Sequence, residues 1–396
     1  MQQAPVIDLL DGEFYAGDPR PAYAWLRANG PVRFDEASGH WAVASYDAVV
    51  AASSQPEVFS NGDGSRPGTK QLSMIDMDDP MHWSRRRLVN KGFTPRRVAD
   101  LEPRIRELCD RILDEVCENG ECDFVRDIAA PLPLHVIGDM LGIRDEDRAA
   151  LLRWSDTMLA SQGVPGEETA AAAKAAAMEY AQYAIGVIGD RRAQPSDDLI
   201  GVLVHAEVDG QRMDDLELIH ESLLILIGGD ETTRHVIAGG SAELLRHPDQ
   251  LDRLRREPET IPLAVEEMIR WVSPVKNMKR AIRRDIEFFG AQLKAGDNAL
   301  LLYESANFDD AHFTEPDRFD TTRDPNTHVA FGVGTHFCLG ASLARLELRV
   351  MVERALERLP DLRLATDAPL PVRRNSFITG VEEMPVTFTP TAPVGG

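Results

Sequence analysis

The chain has 396 residues, of which 43% are hydrophobic and 27% charged, and a formal net charge of −22 at pH 7. This is an ordinary globular balance, which sets disorder aside. The excess of acid argues against a nucleic-acid binder, which needs a basic face for phosphates, and no apolar run approaches the roughly 20 residues that span a bilayer.

Met1 to Asp11 lacks the basic start and hydrophobic stretch of a signal peptide, so a cytoplasmic protein is expected. No internal repeat and no Ser/Gly-rich linker divides the chain, and a single domain over residues 1–396 is expected. Val32 to Asp35 and His40 to Ala44 read as a hairpin around Ser38-Gly39, and Ser45 can cap the helix that follows. Arg85, Arg86, Arg87, Lys91, Arg96 and Arg97 form a basic cluster against the acidic background. From about Asp100 to Gly189 the pattern is helical, and the Ala-rich stretch Thr169 to Ala184 reads as a strong helix. Cys109, Cys117 and Cys122 fall on or beside one helix, where small buried thiols are the simplest reading.

The longest predicted helix runs from Leu216 to Arg246 without a proline, and others fit Ile261 to Trp271 and Ser342 to Arg358. The last forty residues or so, rich in Pro, Val, Thr and Phe, read as short strands and turns. The expected class is mainly α with small β-sheets (α+β), one compact fold with two lobes.

Cys338 stands apart from the other cysteines, in Phe331-Gly-Val-Gly-Thr-His-Phe-Cys338-Leu-Gly340, directly before a helical run. A cysteine that ligates iron must be held as thiolate, although a free thiol titrates near ~8.5. The metal does most of this, and backbone N–H groups pointing at the sulfur help. Gly332, Gly334 and Gly340 would let the loop turn tightly, the following helix turns its positive end toward the sulfur, and Phe331 can shield it from water. A buried cysteine in a glycine turn is the plain alternative.

A second pattern lies inside the longest helix, Gly228-Gly-Asp-Glu231-Thr232-Thr. Two mid-helix glycines cost about 1 kcal/mol each relative to alanine. An opening in the helix, or a loosened hydrogen-bond ladder, would explain them by leaving room for a diatomic ligand above a flat cofactor. The acid and hydroxyl beyond could then relay protons. Close helix packing at the glycines is the competing explanation. A third pattern, Glu267-Met-Ile-Arg270, puts two opposite charges on one helix face.

Together, and in this order, these motifs resemble the cytochrome P450 superfamily over nearly the whole chain. The resemblance implies the family fold, with haem b between the long central helix and the cysteine loop. It implies Cys338 as the metal ligand and Glu231 with Thr232 as the catalytic acid–alcohol pair. Glu267, Arg270 and Arg318 would form a buried network serving folding. His82 and Arg86, matching His-x-x-x-Arg, would bind the haem propionates with Arg280 and His336, and Phe331 and Gly340 would border the cofactor. Where many bacterial members read Asn-Arg-Asp, this chain has Asn307-Phe308-Asp309.

The function implied is a haem-thiolate monooxygenase, with electrons from a ferredoxin and its ferredoxin reductase, because the chain carries no flavin or nicotinamide module. Ser273 to Arg280 and Asp76 to His82 look most like actinobacterial enzymes that hydroxylate the side-chain terminus of cholesterol or cholest-4-en-3-one. A fatty-acid or other lipid or polyketide hydroxylase is the alternative within the family. A peroxide-dependent haem protein and a haem sensor are alternatives outside it, and both lack a need for Glu231-Thr232. Met74, Ile75, Leu226, Gly229, Met278 and Phe377 are the candidate substrate contacts, an apolar lining for a small apolar molecule, with Ile227 and Ile378 beside them.

Overall fold

A computed structural model describes residues 5–161, 166–207, 210 and 212–395. Its centre is the helix Asp215–Arg246, 32 residues long, or about 48 Å at 1.5 Å per residue. The helix starts where it does because of a capping box. The Asp214 carboxylate accepts from the Glu217 N–H at 2.8 Å, and the Glu217 carboxylate accepts from the Asp214 N–H at 3.1 Å.

Around this helix pack Pro131–Leu141, Ile261–Val272 and Ala341–Arg358, whose apolar faces share one core. Small residues set the spacing. A Cβ on Gly240 would lie 2.7 Å from the Met268 Cβ, and one on Gly229 would lie 2.9 Å from the Ile137 Cδ1. The Ala-rich stretch falls within a helix, Glu167–Ala193, and the stretch before it breaks into shorter helices with a π-helical turn at Val125–Ala129. Among the described residues no helix is long and apolar enough to cross a membrane.

The second lobe carries a five-stranded sheet in the order Val32–Asp35, His40–Val43, Asn298–Leu302, Asn277–Ile282, Phe59–Ser60. The pairing of His40–Val43 with Asn298–Leu302 is parallel, Trp41 beside Ala299, and the others are antiparallel. Because side chains alternate along a strand, Met278 and Arg280 share one face of Asn277–Ile282, and both reach the cavity between the lobes. The Ser45 hydroxyl caps Tyr46–Ser53 by accepting from the Ala48 N–H. The C-terminal residues form short strands and bridges, Arg363–Leu364 and Pro385–Thr387 with Val275–Ile378.

Glu267 and Arg270 are both fully buried and paired through two parallel bonds of 2.8 Å. Arg270 also donates to the Asn307 carbonyl at 2.7 Å. The third partner is Arg323 and not Arg318: the Arg323 Nε donates to Glu267 at 3.1 Å, Asn326 at 3.1 Å, and the Asp320 N–H at 2.9 Å. Arg318 has its side chain 61% exposed and pairs with Glu315. Both arginines belong to one irregular segment without a period, so spacing could not choose between them. The Asn307-Phe308-Asp309 departure also has a local explanation. Phe308 lies under the Arg20 guanidinium, 4.2 Å from its ring centre, so another element supplies the cation there.

Removing one partner of a buried pair strands the other charge, at about 3–5 kcal/mol. Glu267→Ala should therefore destabilise the fold by about that much, and Arg323→Ala by about 1–3 kcal/mol, the scale of one charged hydrogen bond. Arg318→Ala should stay within about 0.5 kcal/mol, as for an exposed side chain. Thermal unfolding followed by circular dichroism ranks the three; equal losses at positions 318 and 323 would contradict the assignment.

Candidate active site

A cavity of about 260 Å³ separates the lobes. Its floor is the loop Phe331 to Gly340 and its roof the long helix at Gly228, Gly229, Thr232 and Thr233.

The loop closes on itself through the Cys338 N–H, which donates to the Phe331 carbonyl at 2.8 Å. Gly332 and Gly334 adopt φ of 67° and 75°, and a Cβ on Gly334 would lie 2.6 Å from the Ser53 carbonyl oxygen. Glycine is required at both. Gly340 is different: its φ is −84°, and nothing lies within 4 Å of where its Cβ would be. The expected tight turn there is replaced by clearance toward the cavity. Burial pushes the Cys338 thiol up, opposed by the backbone N–H groups of Gly340 and Ala341 and the guanidinium groups of Arg86 and Arg345. A bound metal ion would favour the thiolate further. Phe331 borders the sulfur with Arg345 stacked 4.7 Å from its ring centre.

The two roof glycines divide the work. Gly228 faces open space and Gly229 faces Ile137, as given above. The opening and the close-packing explanation both hold, one for each glycine. The α-helix is continuous through this point. Thr232 lines the cavity with its hydroxyl donating to the Gly228 carbonyl at 2.8 Å.

Glu231 does not line the cavity. One residue is a rotation of about 100°, and this turns its carboxylate to the far side of the helix. There it is fully buried and bonded by Arg234 at 2.5 Å and Arg373 at 2.8 Å. Burial pushes this carboxyl up, and the two arginines oppose the rise. The same arginines each hold Asp156 at 3.0 Å, and Asp156 is 39% exposed, so the cluster runs from helix core to surface.

His82, Arg86, Arg280 and His336 all line one end of the cavity. The two imidazole centres are 4.0 Å apart, and the buried His82 Nε2 has no partner. Burial and the charges of His82, Arg280 and Arg86 push His336 down to about 2. Donors crowded together with an orphaned buried nitrogen form a site for anionic oxygens. Of the apolar candidates, Met74, Ile75, Gly229, Met278 and Phe377 line the cavity. Leu226 does not: it faces away from the opening into the helical core. Sequence reasoning missed Asn61, Arg66, Gln71 and Glu347, polar residues that do line it.

The family model for cytochrome P450 matches residues 41–360. The chain belongs to the cytochrome P450 family. It is 56% identical over 400 residues to a steroid C26-monooxygenase of Mycobacterium tuberculosis, with all of both chains covered. It is 36% identical over 413 residues to a methyl-branched lipid omega-hydroxylase of the same species, covering 98% of this chain and 96% of that one. Among solved structures, CYP109E1 of Bacillus megaterium in complex with testosterone superposes with a TM-score of 0.89 at 34% identity, over 95% of this chain and 99% of that one.

The family carries haem iron, and the residues present fit it. A flat group can lie between the cleared Gly228 and the Cys338 sulfur, with Gly340 leaving space beside it and its carboxylates at His82, Arg86, Arg280 and His336.

With CO, the reduced protein should show the red-shifted Soret band that thiolate donation produces. Cys338→His should abolish that band while retaining some haem through the cationic cluster. An intact band in this variant would reassign the ligand.

Proposed function

We propose that this cytochrome P450 is a monooxygenase that hydroxylates a terminal methyl, C26 or C27, of the side chain of cholesterol or cholest-4-en-3-one. The observation that carries the reading is the full-length identity to a steroid C26-monooxygenase, and the cavity suits it. Met74, Ile75, Met278, Phe377 and Ile378 give an apolar wall, and burial at roughly 25 cal/mol per Å² can hold a rigid sterol with few polar contacts. Methionines adapt to an irregular outline.

Haem b, when bound through Cys338, supplies the activation of O₂. His82, Arg86, Arg280 and His336 hold its propionates, and His82 Nε2 gains the partner it lacks. Thr232 organises proton delivery from its hydroxyl at the roof. Glu231 resupplies the proton from the Arg234–Arg373–Asp156 side, which reaches the surface. A substrate with its flexible tail toward Thr232 presents a terminal methyl, and this positioning offsets the easier oxidation of weaker tertiary C–H bonds.

Cholest-4-en-3-one should give a low-to-high-spin shift at lower concentration than any simple fatty acid, and product analysis should find the hydroxyl at C26 or C27. Tight fatty-acid binding without a sterol response, or oxidation of the rings, would overturn the sterol reading. In the same assay Thr232→Ala should lower product formed per NAD(P)H consumed without weakening binding.

Electrons come from a ferredoxin and its reductase in the cytoplasm. The basic cluster supports a docking site once one member is removed: Arg85 pairs with Glu217 at 2.5 Å and Glu221 at 3.5 Å, so it serves the core. Arg87, Lys91, Arg96 and Arg97 remain exposed. Arg86 donates to the Phe337 carbonyl at 2.5 Å, which sets this face beside the cysteine loop, and Phe337 is 40% exposed. Although the chain carries −22 overall, charges beyond about 10 Å are screened at 0.1 M salt, so the local patch governs approach. Charge reversal at Arg96 and Arg97 should slow reduction by ferredoxin and flatten its salt dependence, with sterol affinity unchanged. Equal rates across the salt series would exclude this docking site.

A further inference from the structure

Two groups of polar residues line the cavity. His82, Arg86, Arg280 and His336 make the first, where the cofactor's carboxylates fit. The second is made by Asn61, Arg66 and Gln71, all from the segment between the strand Phe59–Ser60 and the turn Met74–Asp76. Arg66 is 8% exposed and lines the cavity. Among the described residues no hydrogen bond or ion pair engages its guanidinium. Its one ring contact is with the face of Phe377, 5.2 Å from the centre.

Asp76 is the charged side chain whose field bears on Arg66. Both its oxygens are already taken by the backbone, the Ser65 N–H at 2.7 Å and the Gln71 N–H at 2.7 Å.

The segment bearing it is also fixed in place. The Ser65 carbonyl accepts from the Lys279 N–H at 2.7 Å, and the Lys279 ammonium donates to the Asp63 carbonyl at 2.8 Å. Gly64, at φ 92°, lets the loop fold back on Thr69. A donor held rigidly needs little ordering when a ligand arrives. A guanidinium on the cavity wall has five N–H donors and no means of losing its charge, so a ligand that excludes water from it must supply an acceptor.

We propose that Arg66 is the specificity-determining residue for the end of the substrate remote from the oxidised methyl, and that it takes an acceptor oxygen there, the ring ketone at C3. The inference rests on the sterol reading and deepens it. The bond is from a guanidinium N–H to the ketone oxygen, with the A ring packed toward Phe377. A substrate without that oxygen leaves the donor desolvated and unpaired, so discrimination comes from the penalty for the wrong ligand as much as from the gain for the right one.

The test is a spectral titration of cholest-4-en-3-one against its 3-deoxy analogue cholest-4-ene, in the haem-loaded wild type, Arg66→Met and Arg66→Lys. The wild type should prefer the ketone by roughly 10- to 100-fold, the range for a hydrogen bond to a charged group. Arg66→Met should bring that preference close to unity, weakening the ketone and tightening cholest-4-ene, and Arg66→Lys should keep part of it. An undiminished preference in Arg66→Met, or an equal loss for both ligands, would overturn the proposal. So would a fall in haem content, which would make Arg66 a cofactor ligand. A wild type that binds neither sterol would instead remove the sterol reading itself, and that outcome is distinct from the others.

Discussion

Cys338 lies in a loop that opens on the cavity, where the donors to sulfur are largely backbone N–H groups, those of Gly340 and Ala341. Burial drives this thiol toward its neutral form, and the sulfur serves as an iron ligand only when it is anionic. Much of the surrounding structure follows from that conflict. The loop must turn sharply enough to aim amides inward, which demands left-handed backbone at Gly332 and Gly334. The helix Ala341–Arg358 must start immediately after, so that its unpaired N–H groups fall near the sulfur. That helix must also be immobile, and it is packed in the same apolar core as the long helix and Ile261–Val272.

The buried Glu267–Arg270 pair belongs to the same problem at longer range. It ties Ile261–Val272 to the irregular segment Asp320 to Asn326 and to the Asn307 carbonyl. Asn307 in turn accepts from the Val329 N–H at 2.7 Å, two residues before the loop begins. A chain of buried polar contacts thus leads from the core to the ligand loop through Asn307, the last residue of the short helix Tyr303–Asn307. The network is anchored by the Glu267 carboxylate, which accepts five hydrogen bonds from four residues.

Much of this was legible in the sequence. The helix limits and the hairpin follow from periodicity and capping residues, and Cys338 with its glycines is a local pattern whose meaning does not depend on distant contacts. What was illegible depends on direction and on irregular backbone. Leu226 and Glu231 sit beside residues that do line the cavity, yet a single helical step of about 100° turns each away. Arg318 and Arg323 are equivalent to a reader of spacing, and only the path of a loop decides between them. Arg85 looks like its basic neighbours until its acidic partners Glu217 and Glu221, far off in sequence, come into view. Arg66 carries no motif at all; its role emerges from burial without a partner, a property that exists only in the folded chain.

The distribution of polarity in the cavity then constrains how any long substrate can lie. The cationic cluster would take the cofactor's carboxylates, which would leave the polar part of a substrate with Asn61, Arg66 and Gln71. The residues between are mainly apolar, and a sterol placed there loses water from its rings without leaving polar groups bare. The reverse orientation would set the ring oxygen under the roof at Gly228 and leave a hydrocarbon tail against a buried guanidinium, paired with nothing. Desolvating that cation without an acceptor is the larger penalty. On the proposed role of Arg66, orientation, and with it the carbon presented to Thr232, would be set by the donor that the ring oxygen finds.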